Sequence, residues 1–283
     1  MQSVVSYKNR GPWGNSSWRG NTSGHIIKDL IEEFSVKHFV DVCEGSGTSR
    51  DVAKSLGIKY TGLDLHTGFD FTHDYVLSQL DSEADMVFSH PPYGDMILYK
   101  DDARDTSRSK TPEEFCSKSQ LMLMNQREAT CDGGYYVTLI GDQRKNGEYH
   151  SFQSDFIQMM PKNELHSVII KMQHNMQSNN TKYAGKFIPI VHEHLLIWRK
   201  KSRTIVNIGF DLSMSYTKLV ASTWRNVLRI IMMKFGTATL EQIYTEVETL
   251  AGELISKNKN WQAKIRQKLQ VHYQNVSRGV WAL

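Results

Sequence analysis

The chain has 283 residues, a net charge of +4, 40% hydrophobic and 23% charged residues, ordinary values for a globular protein that buries a full core, here one large domain plus a smaller one. No run of 18 apolar residues occurs and the opening "MQSVVSYKNRGPWG" lacks the apolar core of a signal peptide, so a cytoplasmic protein with no membrane partner is expected. Cys43, Cys116 and Cys131 are odd in number and lack metal-type spacing, which predicts reduced thiols, no disulfide framework and no metal.

Residues 1–24, rich in Gly, Asn, Ser and Trp, read as an ordered loop carrying aromatic rings. "IIKDLIEEF" (26–34) has the apolar spacing of a helix. "HFVDVCEGSGTSRDVAKSLG" reads as a strand over Phe39–Val42, a turn over Glu44-Gly45-Ser46-Gly47, and a helix from Thr48 or Ser49 with Gly57 past its end. Further strands are predicted in "KYTGLDL", "ADMVFSHPPY", "GGYYVTLIGD", "HSVIIKMQ" and "HEHLLIWRK". Strands alternating with helix-length stretches point to a parallel α/β sheet. The last two strands have no helical pattern between them, which predicts an antiparallel hairpin at the sheet edge.

Beyond Lys201 the pattern changes. After a linker at 202–222, residues 223–283 read as three helices, in "STWRNVLRIIMMKFG", "ATLEQIYTEVETLAGELI" and "NWQAKIRQKLQ", then a hairpin-like "YQNVSRGVWAL". This order resembles a winged-helix module. Nine Lys/Arg against four acids between Arg225 and Leu283 leave the first 224 residues close to neutral, so the tail carries either a polyanion contact or a solvated basic face. In the third helix Lys264 and Lys268 share one face at i, i+4 spacing, with Arg266 and Gln267 pointing away from it, and Arg278 stands at the hairpin tip. Lys264, Lys268 and Arg278 are the candidate DNA contacts of the tail.

Two stretches carry candidate chemistry. In "DVCEGSGTS" the glycines let backbone approach a ligand at a helix N-terminus, although the third glycine of a dinucleotide fingerprint is missing. Asp64 ends the next strand, where a carboxylate can accept both ribose hydroxyls of a nucleoside cofactor. Asp70 suits an adenine amino group, with Phe71 or Phe69 against the ring. In "SHPPY", Met86–Phe88 ends on a rigid corner. An exocyclic amine is a poor nucleophile, and two fixed acceptors can activate it: one side chain and one carbonyl. Paired prolines lock the carbonyl direction, and the adjacent aromatic can stack on a flipped base. The following polar stretch, with Arg104 and Arg108, reads as a loop over the site that also contacts DNA.

"HPPY" after a strand resembles the D/N/S-P-P-Y/F motif of S-adenosylmethionine-dependent DNA amino-methyltransferases, and the resemblance covers most of the first 200 residues. "FVDVCEGSGTS" is similar to the family's cofactor motif, Asp64 to its ribose-binding acid, "FDF" to its adenine-contacting position, and "HEHLLIWRK" to its closing hairpin strand. "RGPWGNSSWRGN" resembles the loop that closes over the methionine end of the cofactor. The resemblance implies a Rossmann-like seven-stranded methyltransferase sheet over 1–201 and S-adenosylmethionine as cofactor. The cofactor would be held by Trp13, Gly20, Asn21, Asp41, Glu44, Gly45, Gly47, Asp64, Asp70 and Phe71. The catalytic set would be His90, Pro91, Pro92 and Tyr93, and the partner double-stranded DNA in a restriction-modification or mobile-element setting.

His90 departs from the family pattern. As a neutral imidazole it can accept a hydrogen bond from the amine, and activity should then fall as pH drops through its pKa, about 6.5 if unperturbed; Ser89 and Asp95 are the alternative acceptors. Adenine N6 stands slightly ahead of cytosine N4 as the target. An RNA or protein-glutamine amino-methyltransferase, and a non-catalytic DNA-binding regulator on this scaffold, are the competing readings. Recognition sequence and oligomeric state are not legible.

Overall fold

The computed structural model describes residues 1–174, 188–201 and 223–282; the 202–222 linker thus falls outside the described residues. The chain divides into two compact units, Met1–Ile157 with Asn163–Lys200, and Gln158–Lys162 with Lys201–Leu283.

The first unit is built on a seven-stranded sheet. Its strands are β1 (Val4–Ser6), β2 (His38–Asp41), β3 (Lys59–Gly62), β4 (Ala84–Ser89), β5 (Thr130–Ile140), β8 (Leu165–Met172) and β9 (His192–Arg199). They lie in the order β1-β8-β9-β5-β4-β2-β3. β3, β2, β4 and β5 are mutually parallel, and β9 runs antiparallel to both neighbours. A mixed α/β sheet in this order, with one reversed strand, is the Rossmann-like methyltransferase fold. A two-stranded ribbon, β6 (Gln143–Lys145) with β7 (Glu148–His150), stands apart from it.

The β8–β9 hairpin forms as the sequence predicts, but it is not the sheet edge. β1 pairs parallel to β8 and covers it, a strand that the loop reading of residues 1–24 misses because three residues show no alternation.

Helices α1 (Gly24–Glu33), α2 (Thr48–Leu56), α3 (Pro112–Ala129) and α4 (Phe152–Met159) complete the unit. α1 starts where the Ser23 hydroxyl accepts the His25 N–H. It buries Ile26, Ile27, Leu30 and Ile31 in a cluster with Phe39, Met86, Phe88, Val137 and Leu139. The alternate residues of β4 and β5 face the other way, where α3 lies. There fully buried Gln126 donates to the Val87 and Val137 carbonyls, and its Oε1 accepts from Ser89 and Thr138. One amide thus ties two strands and a helix together at full satisfaction of its polar atoms.

In the second unit, α5 (Trp224–Phe235), β10 (Thr237–Thr239), α6 (Leu240–Leu250), α7 (Gly252–Lys257), α8 (Trp261–His272), β11 (Gln274–Ser277) and β12 (Val280–Ala282) follow in that order. β12 pairs antiparallel with both β10 and β11. The core joins Val227, Leu228, Ile231, Ile243, Val247, Ile265, Leu269 and Trp281. The predicted capping box forms: Thr239 accepts from the Gln242 N–H, and Gln242 accepts from the Thr239 N–H. Among the described residues no helix is long and apolar enough to cross a membrane.

Candidate active site

From β2 the chain steps outward to β3, then returns across β2 to β4. Parallel strands whose connections diverge this way open a crevice at their carboxyl ends, and both chemical stretches of the sequence leave the sheet there.

On the β2 side lies a narrow slot of about 100 Å³. Gly45 and Gly47 take φ of 50° and 81°, left-handed values that admit glycine at low cost. The turn is locked to the next strand: the Gly45 N–H donates to Asp64 Oδ2 at 2.9 Å, while Asp64 Oδ1 accepts from the His66 N–H and ring, each at 2.8 Å. The Asp64 carboxylate is thereby oriented at the mouth with lone pairs to spare. Asp41, 3% exposed at the slot floor, accepts from the Ser49 hydroxyl and the Cys43 N–H. Burial, reinforced by the charges of Glu44 and Asp64 and opposed by those hydrogen bonds, raises its pKa to about 7. Glu44 accepts from Arg50 and Tyr60, and a Cβ on Gly62 would fall 2.4 Å from its carboxyl carbon. Asp70 accepts from the Thr72 N–H and hydroxyl and sits 3.2 Å from the His73 ring.

Of the predicted cofactor residues, Gly20, Asn21, Asp41, Glu44, Gly45, Asp64, Asp70 and Phe71 line this slot, with Phe69. Trp13 and Gly47 do not. Trp13 packs on the core under Gly24, edge-on to His25; the ring in the slot wall is Trp18, which stands against His66. Two tryptophans five residues apart in one glycine-rich loop carry no period that tells them apart. Gly47 instead caps α2. Arg104, predicted to touch DNA, lines the slot with its guanidinium forked onto Asp102, and Arg108 is held by the Lys100 carbonyl and Asp101.

On the other side opens a cleft of about 990 Å³. The exposed side chains of Lys8, Arg10 and Arg19 rim it and form no ion pair among the described residues. Slot and cleft share the wall Gly20–Thr22. The Pro91-Pro92 corner stands between them: His90 and Pro92 line the slot, and Tyr93 lines the cleft. The Tyr93 ring lies where a Cβ on Gly141 would be, 2.7 Å from it.

His90 Nε2 is 2.7 Å from the Tyr93 hydroxyl, which donates to Glu193. Burial lowers the His90 pKa to about 4; Lys171 and Arg10 act in the same direction and Glu193 opposes them. The ring is therefore neutral at pH 7, as an acceptor must be, and the acid limb expected near 6.5 moves down to about 4. The alternative acceptors are committed elsewhere. Ser89 is fully buried between Gln126 and Thr138, and Asp95 is bound to Gln143 and Lys145. Glu193 and Lys171 went unnoticed in the sequence, where each reads as one charge on a strand.

In the second unit, Ile265 and Leu269 of α8 are buried and its outward residues are Gln262, Ala263, Arg266, Gln267, Gln270 and Val271. Lys264 and Lys268 sit on the flanks, half-buried. Arg266 stands off the lysine side, as expected, and bonds the Tyr244 hydroxyl, whereas Gln267, expected to point away from the lysines, accepts from Lys264 Nζ at 2.9 Å. Arg278 is exposed at the tip beside Gly279.

No family model and no curated protein matches the chain. Among solved structures it is similar to TrmN from Thermus thermophilus (12% identity, 64% of this chain and 50% of that one, TM-score 0.35). It is also similar to a SAM-dependent methyltransferase from Archaeoglobus fulgidus (13%, 63% and 95%, 0.38) and to a putative DNA modification methylase, likewise from Thermus thermophilus (17%, 48% and 53%, 0.33). The chain thus spans about half the length of two of the three. Likeness at this level does not extend to substrate, and the reading of the site rests on its own residues.

Proposed function

We propose that the chain is an S-adenosylmethionine-dependent methyltransferase acting on the exocyclic amine of a base flipped from double-stranded DNA, adenine N6 ahead of cytosine N4. The observation that carries this reading is the meeting of a narrow slot and a wide cleft at the His90–Tyr93 corner. A small donor and a large acceptor need such a junction, because the reacting atoms must come within about 3.5 Å while their bodies stay apart.

The slot's donor set fits the proposed cofactor. Asp64 faces the mouth as an acceptor for a ribose diol, Asp70 with Phe69 and Phe71 suits an adenine, and the glycine turn admits close backbone approach. S-adenosylmethionine supplies an electrophilic methyl group when bound there. The protein's part is to orient and polarise the amine. His90, neutral at pH 7, accepts one N–H and the Pro91 carbonyl the other, which pushes lone-pair density onto nitrogen. Tyr93, held by its hydroxyl, offers its ring to the base.

Two features support a nucleic-acid acceptor. Lys8, Arg10 and Arg19 at the cleft rim, in no ion pair among the described residues, suit phosphates. The helix–strand–three helices–hairpin order of the second unit supports a winged-helix-like DNA-binding domain over 223–283. It also favours duplex DNA over RNA or a protein glutamine.

Tritiated S-adenosylmethionine offered with duplex DNA, RNA and protein tests the proposal. Label in DNA is expected, and sequencing of modified bases from cells with and without the active gene then gives base and site. Label in RNA or protein alone would overturn the substrate assignment. Cofactor binding without transfer to any of the three would overturn the enzyme reading in favour of a regulator.

A further inference from the structure

Four side chains from distant parts of the chain form one line of hydrogen bonds. Lys171 on β8 and Glu193 on β9 are direct cross-strand partners, and their side chains pair through Nζ and Oε2. Both residues are buried, at 8% and 5% exposure. Glu193 Oε1 takes the Tyr93 hydroxyl, whose oxygen lies 2.7 Å from His90 Nε2. From Oε1 to Nε2 directly is 3.9 Å, so Tyr93 is the link.

We infer that Glu193 is a positioning residue that sets the tautomer of His90 through Tyr93, so that Nε2 carries the hydrogen and Nδ1 is the acceptor presented to the substrate. The reasoning is a count of hydrogens. Burial alone would raise the Glu193 pKa, but the Lys171 ammonium, His90 and the hydrogen bonds from Lys171 and Tyr93 outweigh it and hold the carboxyl down at about 2. A carboxylate only accepts, so the Tyr93 hydrogen goes to Glu193. Burial and the Glu193 charge hold the phenol's pKa well above its ordinary value, so the hydrogen stays on its oxygen.

A hydroxyl has one hydrogen, and toward His90 Tyr93 therefore presents a lone pair. Nε2 must then be N–H, and a neutral imidazole protonated there has its free lone pair on Nδ1. Nδ1 has no hydrogen-bond partner among the described residues, and the ring lines the slot. Glu193 never needs to touch substrate. Lys171 keeps it ionised, which keeps the whole line pointing one way. The assignment deepens the methyl-transfer reading and rests on it for its consequence in catalysis, but the tautomer can be read independently.

Long-range proton–nitrogen NMR of protein labelled with 15N-histidine distinguishes the two tautomers. Wild type at pH 7 is expected to show His90 with Nε2–H. In Glu193→Gln the amide oxygen turns to Lys171 and its NH2 donates to Tyr93. The phenol hydrogen then faces Nε2 and His90 switches to Nδ1–H. A loss of kcat of about 100-fold with KM for DNA unchanged accompanies the switch, the scale of a lost proton-handling group. Tyr93→Phe leaves the Lys171–Glu193 pair in place and should give a mixture of tautomers; it decides the matter if Glu193→Gln does not fold.

Nδ1–H in wild type, or Nε2–H retained in both variants, would overturn the inference. Its failure is distinct from that of the proposed function. A wild type with Nε2–H that methylates nothing sinks the function alone, whereas an active wild type with Nδ1–H sinks the tautomer assignment alone.

Discussion

The slot and the cleft meet at one corner yet are built on opposite plans. In the slot almost every polar group is spoken for: Gly45 N–H by Asp64, Asp64 by His66, Asp41 by Ser49 and Cys43, Glu44 by Arg50 and Tyr60. At the cleft rim Lys8, Arg10 and Arg19 stand exposed without ion-pair partners among the described residues. Interlocked groups cost no reorganisation when a small ligand arrives. Free surface cations grip a long polyanion wherever its phosphates fall, through counterion release rather than fixed geometry. Precision and reach are thus divided between two walls of one crevice.

The sharpest way to break that division is at the corner between the two. His90→Ala is expected to lower kcat by about 100- to 10,000-fold while calorimetry shows the cofactor affinity of the slot unchanged. Loss of cofactor binding instead would place His90 in the slot's grip and not at the junction. Next in size, Asp64→Ala should weaken cofactor binding by about 10- to 100-fold, the scale of one or two hydrogen bonds to a charged group. DNA affinity, which the proposed function assigns to the cleft, should stay within about twofold.

The converse variant, with Lys8, Arg10 and Arg19 all changed to Ala, should leave cofactor affinity alone. It should flatten the plot of log DNA affinity against log salt by about 0.9 for each phosphate that is no longer neutralised. An unchanged slope in a salt titration would remove the cleft from DNA binding. A smaller effect tests the packing of the slot. Gly62→Ala displaces the Glu44 carboxyl, the far end of a flexible side chain that accepts from Arg50 and Tyr60, and should lower unfolding stability by at most about 1 kcal/mol in a urea titration.

The pH dependence of the corner has a definite sign. His90 titrates at about 4 in the folded protein against about 6.5 in an unfolded chain. Between those values the unfolded state binds more protons, so stability falls as pH drops from about 6.5 to 4. Asp41, raised to about 7, acts with the opposite sign, losing stability as pH rises from about 4 to 7. Comparing His90→Asn with wild type in denaturant titrations at several pH values isolates the histidine's share. In the pH–rate profile the acid limb near 4 should disappear in the same variant; a limb that survives unchanged belongs to another group.

What could be read from sequence follows the range of the interactions involved. The glycine turn, Asp64 and the Pro-Pro corner were legible because strand ends and turns are dictated by residues a few places apart: glycine where φ is positive, proline where it is fixed, and a strand's apolar run stopping at an acid. The Thr239–Gln242 capping box was legible for the same reason. Strand β1 was not, since three residues carry no period and are held by pairing with β8. On α8, i, i+4 spacing says that Lys264 and Lys268 are neighbours but not how deep they sit; Ile265 and Leu269, by entering the core, leave both lysines half-buried beside them. Trp13 and Trp18 differ only in what packs around them.

The sequence by itself determined six of the sheet's seven strands, the order of its two chemical stretches and the rigid corner carrying His90. Only the tertiary structure decided what state that histidine is in. Glu193 lies 100 residues from Tyr93 and reaches it because the register of β8 and β9 sets Lys171 opposite Glu193. Burial at that point, a property no local stretch contains, keeps the ring neutral.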